Sequence, residues 1–149
     1  MIRQFRAEDA QACCELIHAC IERDPQISAA LQERICGKES PETMLQRAGL
    51  FYVAVYDSGQ GILGVAGLDM NEVRLLYVSP GHQGRGIGGE LLAHLESMVP
   101  STLFADIFVY STFAAVDFYR SHGFTPGGEY VFYYDGEQLT TVFMTKATR

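Results

Sequence analysis

Glu72-Val73-Arg74-Leu75-Leu76-Tyr77-Val78, followed by Ser79-Pro80-Gly81-His82-Gln83-Gly84-Arg85-Gly86-Ile87-Gly88-Gly89, is the stretch on which the reading of this chain turns. The first seven residues read as a strand. Beyond the turn, Leu91, Leu92, Leu95 and Val99 recur at helical spacing. The turn holds four glycines among the six residues Gly84 to Gly89. Without Cβ atoms, such a backbone can approach a ligand closely. Its N–H groups then open the positive end of a helix dipole. Strand, glycine turn and helix start make a phosphate site, and the spacing suits a pyrophosphate.

The P-loop pattern requires a lysine in the turn, and none is present. The dinucleotide fingerprint Gly-x-Gly-x-x-Gly is formally met by Gly84, Gly86 and Gly89, with Asp106 as a candidate ribose acid. Its context is poor. Ser79 to Gln83 separate the strand from the glycines, Asp106 lies inside the apolar run Leu103 to Val109, and little chain follows for a doubly wound sheet.

Gln83-Gly84-Arg85-Gly86-Ile87-Gly88 resembles the Gln/Arg-x-x-Gly-x-Gly/Ala signature of the GNAT superfamily of acetyl-CoA-dependent N-acetyltransferases. Glu72-Val73-x-Leu75-x-Tyr77-Val78-x-Pro80 is similar to that family's fourth strand. Ala115-Val116-Asp117-Phe118-Tyr119-Arg120-Ser121-His122-Gly123-Phe124 is similar to its Ala-x-x-Phe-Tyr-x-x-x-Gly-Phe block. The two blocks stand in the family's order. One departure is Thr112, where the family often carries asparagine three residues before the motif alanine.

Composition agrees. A chain of 149 residues suits one domain, here residues 1–149. No apolar run is long enough for a membrane span, and the N-terminus lacks a signal peptide's form, so a cytoplasmic protein is expected. A net charge of −7 argues against nucleic acid as the main partner and suits a cationic amine. Cys13, Cys14, Cys20 and Cys36 show no metal-ligand spacing, so buried free thiols and no metal are expected.

In chain order, Met1 to Phe5 reads as a strand. Ala10, Cys13, Cys14, Ile17 and Ile21 mark a helix, with Glu8 and Asp9 in its first turn and Asp24-Pro25 at its end. Ile27, Leu31 and Ile35 suggest a second helix closing near Gly37. Ser40-Pro41 opens a third, with Gly49 as its stop. Leu50 to Tyr56, Ile62 to Leu68 and Asn71 to Val78 form a meander of strands, with Gly64 and Gly67 permitting close packing. A helix from about Gly86 to Met98 crosses over to a strand at Leu103 to Val109, pairing in parallel. Ser111 or Thr112 caps the next helix, and Gly123 stops it. Glu129 to Tyr134 and Leu139 to Lys146 form a hairpin around Asp135-Gly136. This is an α/β (α+β) architecture: a GNAT-like mixed, mostly antiparallel sheet of about seven strands with helices on both faces.

The resemblance implies an acetyl-CoA site. The fourth and fifth strands would splay apart, the pantetheine arm would pair with Leu76, Tyr77 and Val78, and the pyrophosphate would rest on Gln83, Gly84, Arg85, Gly86, Ile87, Gly88 and Gly89. Thr112 would supply a polar contact to the pantetheine. Tyr119 occupies the family's usual acid position, and a phenol near pKa 10 can give its proton to a departing thiolate. Glu72 matches a frequent acidic position and would act as base or amine anchor, with Asp69 or a water relay as alternatives. His18, His94 and His122 read as helix-surface or packed residues. The implied activity is acyl transfer from acetyl-CoA to a small-molecule or peptide amine; the alternative is a non-catalytic acyl-CoA-binding sensor or interaction module. The aromatic final hairpin can support a homodimer.

Overall fold

The computed structural model describes residues 1–149. Seven strands, β1 (Ile2–Gln4), β2 (Tyr52–Asp57), β3 (Ile62–Asp69), β4 (Glu72–Val78), β5 (Asp106–Ser111), β6 (Thr125–Tyr134) and β7 (Glu137–Ala147), form one sheet in the order β1-β2-β3-β4-β5-β7-β6. Only β4 and β5 run parallel; every other neighbouring pair is antiparallel. The helices are α1 (Ala10–Glu22), α2 (Ala29–Lys38), α3 (Pro41–Leu50), α4 (Ile87–Met98) and α5 (Val116–Ser121).

The sheet buries both faces. On one, Ile17 of α1, Leu31 of α2 and Met44 of α3 pack with Val53, Val55, Val65 and Leu75. On the other, Leu91, Leu92 and Leu95 of α4 pack with Ala66, Leu68, Val73, Ile107 and Met144. The strand period of two sorts alternate residues between these cores. Gly64 and Gly67 permit the close packing expected of them. A Cβ at Gly64 would stand 2.7 Å from Leu91 Cδ1, and one at Gly67 would stand 2.7 Å from a Phe51 ring carbon.

One irregularity governs the middle of the sheet. Gly67 pairs with Leu75, but Leu68 pairs with Val73, so Arg74 is an extra residue in β4. This bulge changes the phase of the strand. Val73 therefore joins the α4 core, while Leu75, two residues on, joins the α1–α3 core.

Several boundaries differ from the sequence reading. Helix α2 continues through Gly37 to Lys38, and α3 through Gly49 to Leu50. Neither glycine adopts a positive φ, so neither makes the left-handed stop. Strand β5 begins at Asp106 rather than Leu103, which is 76% exposed. The first part of the apolar run, Leu103 and Ala105, lies in solvent. Thr112 precedes a short 3-10 turn (Phe113–Ala115) and makes no side-chain cap; Ser111 Oγ instead donates to the Thr112 carbonyl at 2.7 Å. The expected Ser40 cap is present, accepting from Thr43 N–H at 3.1 Å. Gly123 (φ +92°) and Asp135-Gly136 adopt the left-handed turns expected of them. All four cysteines are free, but Cys20 and Cys36 are only partly buried.

Asp9 does more than favour a helix dipole. It is buried and receives both Arg3 Nη atoms at 2.8 and 2.9 Å, plus the Arg6 N–H at 2.8 Å. Arg3 also donates to Asp57 at 3.0 Å, which ties β1 to the end of β2. These hydrogen bonds, led by Arg3, hold the Asp9 carboxyl below its ordinary value. A depressed carboxylate stabilises the fold above its unfolded pKa, near 3.9, and that stability is lost as pH falls through the folded value. Asp9→Ala should cost about 2 kcal/mol at pH 7 by removing the main partner of Arg3 and leaving it only Asp57. Denaturant unfolding from pH 7 down to pH 3 should show the wild-type advantage shrinking below about pH 4.

Candidate active site

A cleft of about 1500 Å³ opens where β4 and β5 separate. Their register contains two pairs, Glu72 with Phe108 and Val73 with Val109, and ends at the Arg74 bulge. The rest of β4 has no partner on that side. Ser79 N–H bonds Leu63 O at 2.8 Å, which fixes the alternation on the β3 side. In an antiparallel ladder the backbone groups of Tyr77 then face β3, while those of Leu76 and Val78 face the cleft. Leu76 and Val78 thus offer a free strand edge. The Val78 carbonyl already accepts from Cys20 Sγ and Gln83 Nε2, both at 3.1 Å.

The glycine turn divides into two pairs. Gly84 (φ +77°) and Gly86 (φ +85°) take left-handed conformations with open space around the missing Cβ. Gly88 and Gly89 are held by packing instead. A Cβ on Gly88 would stand 3.1 Å from the Phe118 ring, and one on Gly89 would stand 2.7 Å from His122 Nε2. They let α5 lie against the start of α4. Glu90 N–H, bonding Gly86 O at 3.0 Å, makes the first helical bond of α4. The N–H groups of Ile87, Gly88 and Gly89 are left as unpaired donors at a positive helix end. Ile87 itself is buried, anchoring the turn to the core.

Tyr119 sits on α5, packed edge-on between Phe118 and Phe124 at centroid distances of 5.2 and 5.3 Å. It is 5% exposed and lines the cleft. No fully buried polar side-chain atom lacks a partner, so the Tyr119 hydroxyl, which has none in the protein, is a tip opening on the cleft. Burial pushes its pKa up, and the nearby Tyr77 adds to the effect. Tyr77 packs against the opposite core, and both residues line the cleft.

The family-model description "acetyltransferase (GNAT) domain" matches residues 13–146. This chain belongs to the GNAT acetyltransferase family. A GCN5-related N-acetyltransferase from Rhodopseudomonas palustris superposes with a TM-score of 0.89 at 23% identity, covering 99% of this chain and 94% of that one. The PaiA N-acetyltransferase of Thermoplasma acidophilum, solved with coenzyme A, gives 0.73 at 19%, covering 99% and 98%. A phosphinothricin acetyltransferase from Sinorhizobium meliloti, solved with acetyl-CoA, gives 0.72 at 20%, covering 99% and 87%. At these identities the structures speak to the fold. No curated protein sequence matches significantly.

The remaining expected residues of this GNAT chain fall as follows. Glu72 lines the cleft at the start of β4. Burial raises its carboxyl, Arg74 opposes the rise, and Asp69 adds to it. Arg74 lies 3.7 Å from Glu72 and 3.2 Å from Asp69. Asp69 does not line the cleft. Thr112 does, and its hydroxyl makes no protein hydrogen bond. Arg85 is exposed and outside the cleft, because it stands between two left-handed residues. Asp106 is likewise exposed and outside it. His94 meets the Tyr52 hydroxyl at 2.7 Å, and His18 donates to Glu39 O at 2.9 Å. His122 donates from Nδ1 to Phe118 O at 2.8 Å and lines the cleft.

Arg23, Glu39 and Arg47 line the cleft as well, with no local sequence signal pointing to them. Glu39 and Arg47 form a two-pronged ion pair on the α2–α3 wall, with Glu39 only 9% exposed. Their eight-residue separation spans two helices and matches no helical pairing rule. Gly86→Ala should cost about 1–2 kcal/mol in thermal or denaturant unfolding, since it forces a left-handed alanine. Gly81→Ala, with normal φ and open space, should change stability by less than about 0.5 kcal/mol.

Proposed function

We propose that this chain transfers the acetyl group of acetyl-CoA directly to a primary amine while both are bound in the cleft. The observation that carries this reading is the free Leu76–Val78 edge leading straight into the unpaired N–H groups of α4. A pantetheine arm carries amides that can pair along such an edge, and a pyrophosphate suits the helix start. Phosphates at the Val78 end place the acyl end toward Glu72. Gln83, Gly84 and Gly86 shape the turn, Arg85 contributes its backbone, and Thr112 faces the arm from β5.

The thioester supplies an acyl group with a thiolate leaving group. Tyr119 holds a proton at neutral pH, because burial raises its pKa. It donates a hydrogen bond to the departing sulfur. The amine must lose a proton before it attacks. Glu72 lies four residues before Leu76, about 13 Å of extended chain. It therefore takes that proton through water, or anchors the ammonium near the mouth. Its raised pKa improves it as a base. The acceptor, a small molecule or a peptide amine, enters beside α2 and α3. The reaction needs no metal in this scheme.

Acetyl-CoA at about 100 times its Kd should stabilise the protein by about 2.7 kcal/mol, read as a thermal shift that NAD does not produce. Tyr119→Phe should lower kcat about 100-fold with little change in acetyl-CoA affinity. Full activity in that variant would remove the acid role. Glu72→Gln should abolish the acid limb of the pH–rate profile. In the wild type that limb lies above the ordinary carboxylate range, since activity falls as Glu72 takes up a proton. Tight acetyl-CoA binding with no product across an amine panel would favour a non-catalytic sensor.

A further inference from the structure

Between α1 and α2, among residues that do not line the cleft, a ring nitrogen of His18, a carboxylate oxygen of Glu22 and Cys36 Sγ all lie within 4.8 Å of one another. His18 and Glu22 are one helical turn apart on α1, so both project from one face. Cys36 comes from α2, so the sequence spacing of cysteines gives no hint of it. Neither Glu22 nor Cys36 is engaged elsewhere by a salt bridge or disulfide.

The tautomer of His18 is fixed by its surroundings. Nε2 faces the Glu39 carbonyl at 2.9 Å. A carbonyl only accepts, so Nε2 carries the hydrogen and Nδ1 keeps the lone pair of the neutral ring. An imidazole that donates one N–H to a backbone carbonyl and presents the other nitrogen is oriented as metal-binding histidines are. Cys14 Sγ lies 3.7 Å from His18 Nε2, adding a second sulfur beside the cluster.

We propose that His18, Glu22 and Cys36 form a binding site for a borderline-soft divalent cation, with Zn²⁺ as the best match. Nitrogen, thiolate and carboxylate donors select such an ion over Mg²⁺ or Ca²⁺, which prefer oxygen sets. One thiolate and one carboxylate neutralise its charge, and water completes four ligands. Bonds of about 2.0–2.3 Å place tetrahedral ligand atoms about 3.5 Å apart. The cluster therefore closes by about 1 Å, within reach of side-chain rotation. Binding breaks the Cys36 S–H bond, forms a metal–sulfur bond and releases the proton to solvent; nothing is oxidised or reduced. Because binding displaces the thiol proton, affinity rises with pH. A bound ion would pin α1 to α2, the helices that supply Ile21 and Ile35 to the cleft wall.

The test is titration of the full, chelator-stripped chain with Zn²⁺ against a chromophoric chelator, and with Co²⁺ followed by absorbance. One equivalent should bind, and Co²⁺ should give a thiolate charge-transfer band. Cys36→Ser should abolish that band and weaken Zn²⁺ binding by about 100-fold or more. His18→Gln keeps an amide donor for the Glu39 carbonyl while removing the ring nitrogen, and should weaken binding similarly with the fold retained. Cys20→Ser should keep the band. Absence of one-to-one uptake at micromolar Zn²⁺, or uptake unchanged in both Cys36→Ser and His18→Gln, would overturn the site.

Discussion

The bulge at Arg74 is the constraint on which the rest of this structure depends. A parallel pair of strands would ordinarily satisfy its backbone groups along its full length. Here the extra residue rotates β4 just after Val73, and pairing with β5 stops there. Unpaired strand edges are costly when buried, so this one must meet water or a ligand. The same rotation sends Leu75 and Tyr77 to the α1–α3 face and leaves Val73 on the α4 face. One inserted residue thus opens the cleft, turns the Leu76 and Val78 backbone into it, and brings residues from both cores to its walls. Arg74 itself is spared burial. It lies 5.5 Å over the Phe51 ring and beside two carboxylates.

The glycine turn then links the phosphate end of the cleft to its chemistry. Two glycines are required by backbone conformation and two by proximity. The second pair is easily mistaken for part of the phosphate cradle alone. Its packing role is what brings α5 in: Phe118 lies on Gly88, His122 on Gly89, and Tyr119 is fixed by the aromatic neighbours on either side. A larger residue at Gly88 or Gly89 would move the phenol as well as the loop. His122 is held by its Nδ1–H bond to Phe118 O and stacks on Phe118 at 4.5 Å. It therefore acts as a spacer between the start of α4 and the end of α5.

How far the sequence could be read follows from the range of each interaction. Strands with clear alternation and helices with local caps, such as Ser40-Pro41, were legible because their signals lie within a few residues. Gly37 and Gly49 misled because a glycine near a helix end resembles a stop, yet only a positive φ makes one. The open Leu76–Val78 edge and Tyr119 were legible through motif resemblance. The bulge was not, since an extra residue in a strand shows only against its partner's register. Arg23, Glu39 and Arg47 reach the cleft through packing of α1 to α3, which no local pattern encodes. His18 and Glu22 at helical spacing were a partial signal, but the third donor comes from another helix.

Charge explains why those distant residues matter. A chain of net charge −7 repels a polyanion at long range. Screening confines that repulsion to about 8 Å at physiological salt, so phosphates must be held by near-field contacts. The unpaired N–H groups of Ile87, Gly88 and Gly89 are suited to such contacts, because fixed dipoles add no net charge. Most side-chain cations along the cleft are already answered: Lys38 by Asp135, Arg47 by Glu39, and Arg74 by Asp69 and Glu72. Arg23 lines the cleft without an acidic partner and is the side chain best suited to an anion there. An amine meets the opposite situation. The far field draws it in, while paired cations on the walls keep it from being repelled at close range. Glu39 and Arg47 shape that wall without presenting net charge. Breaking the pair would leave a poorly solvated charge facing the acceptor, so it governs the wall's polarity as well as its position.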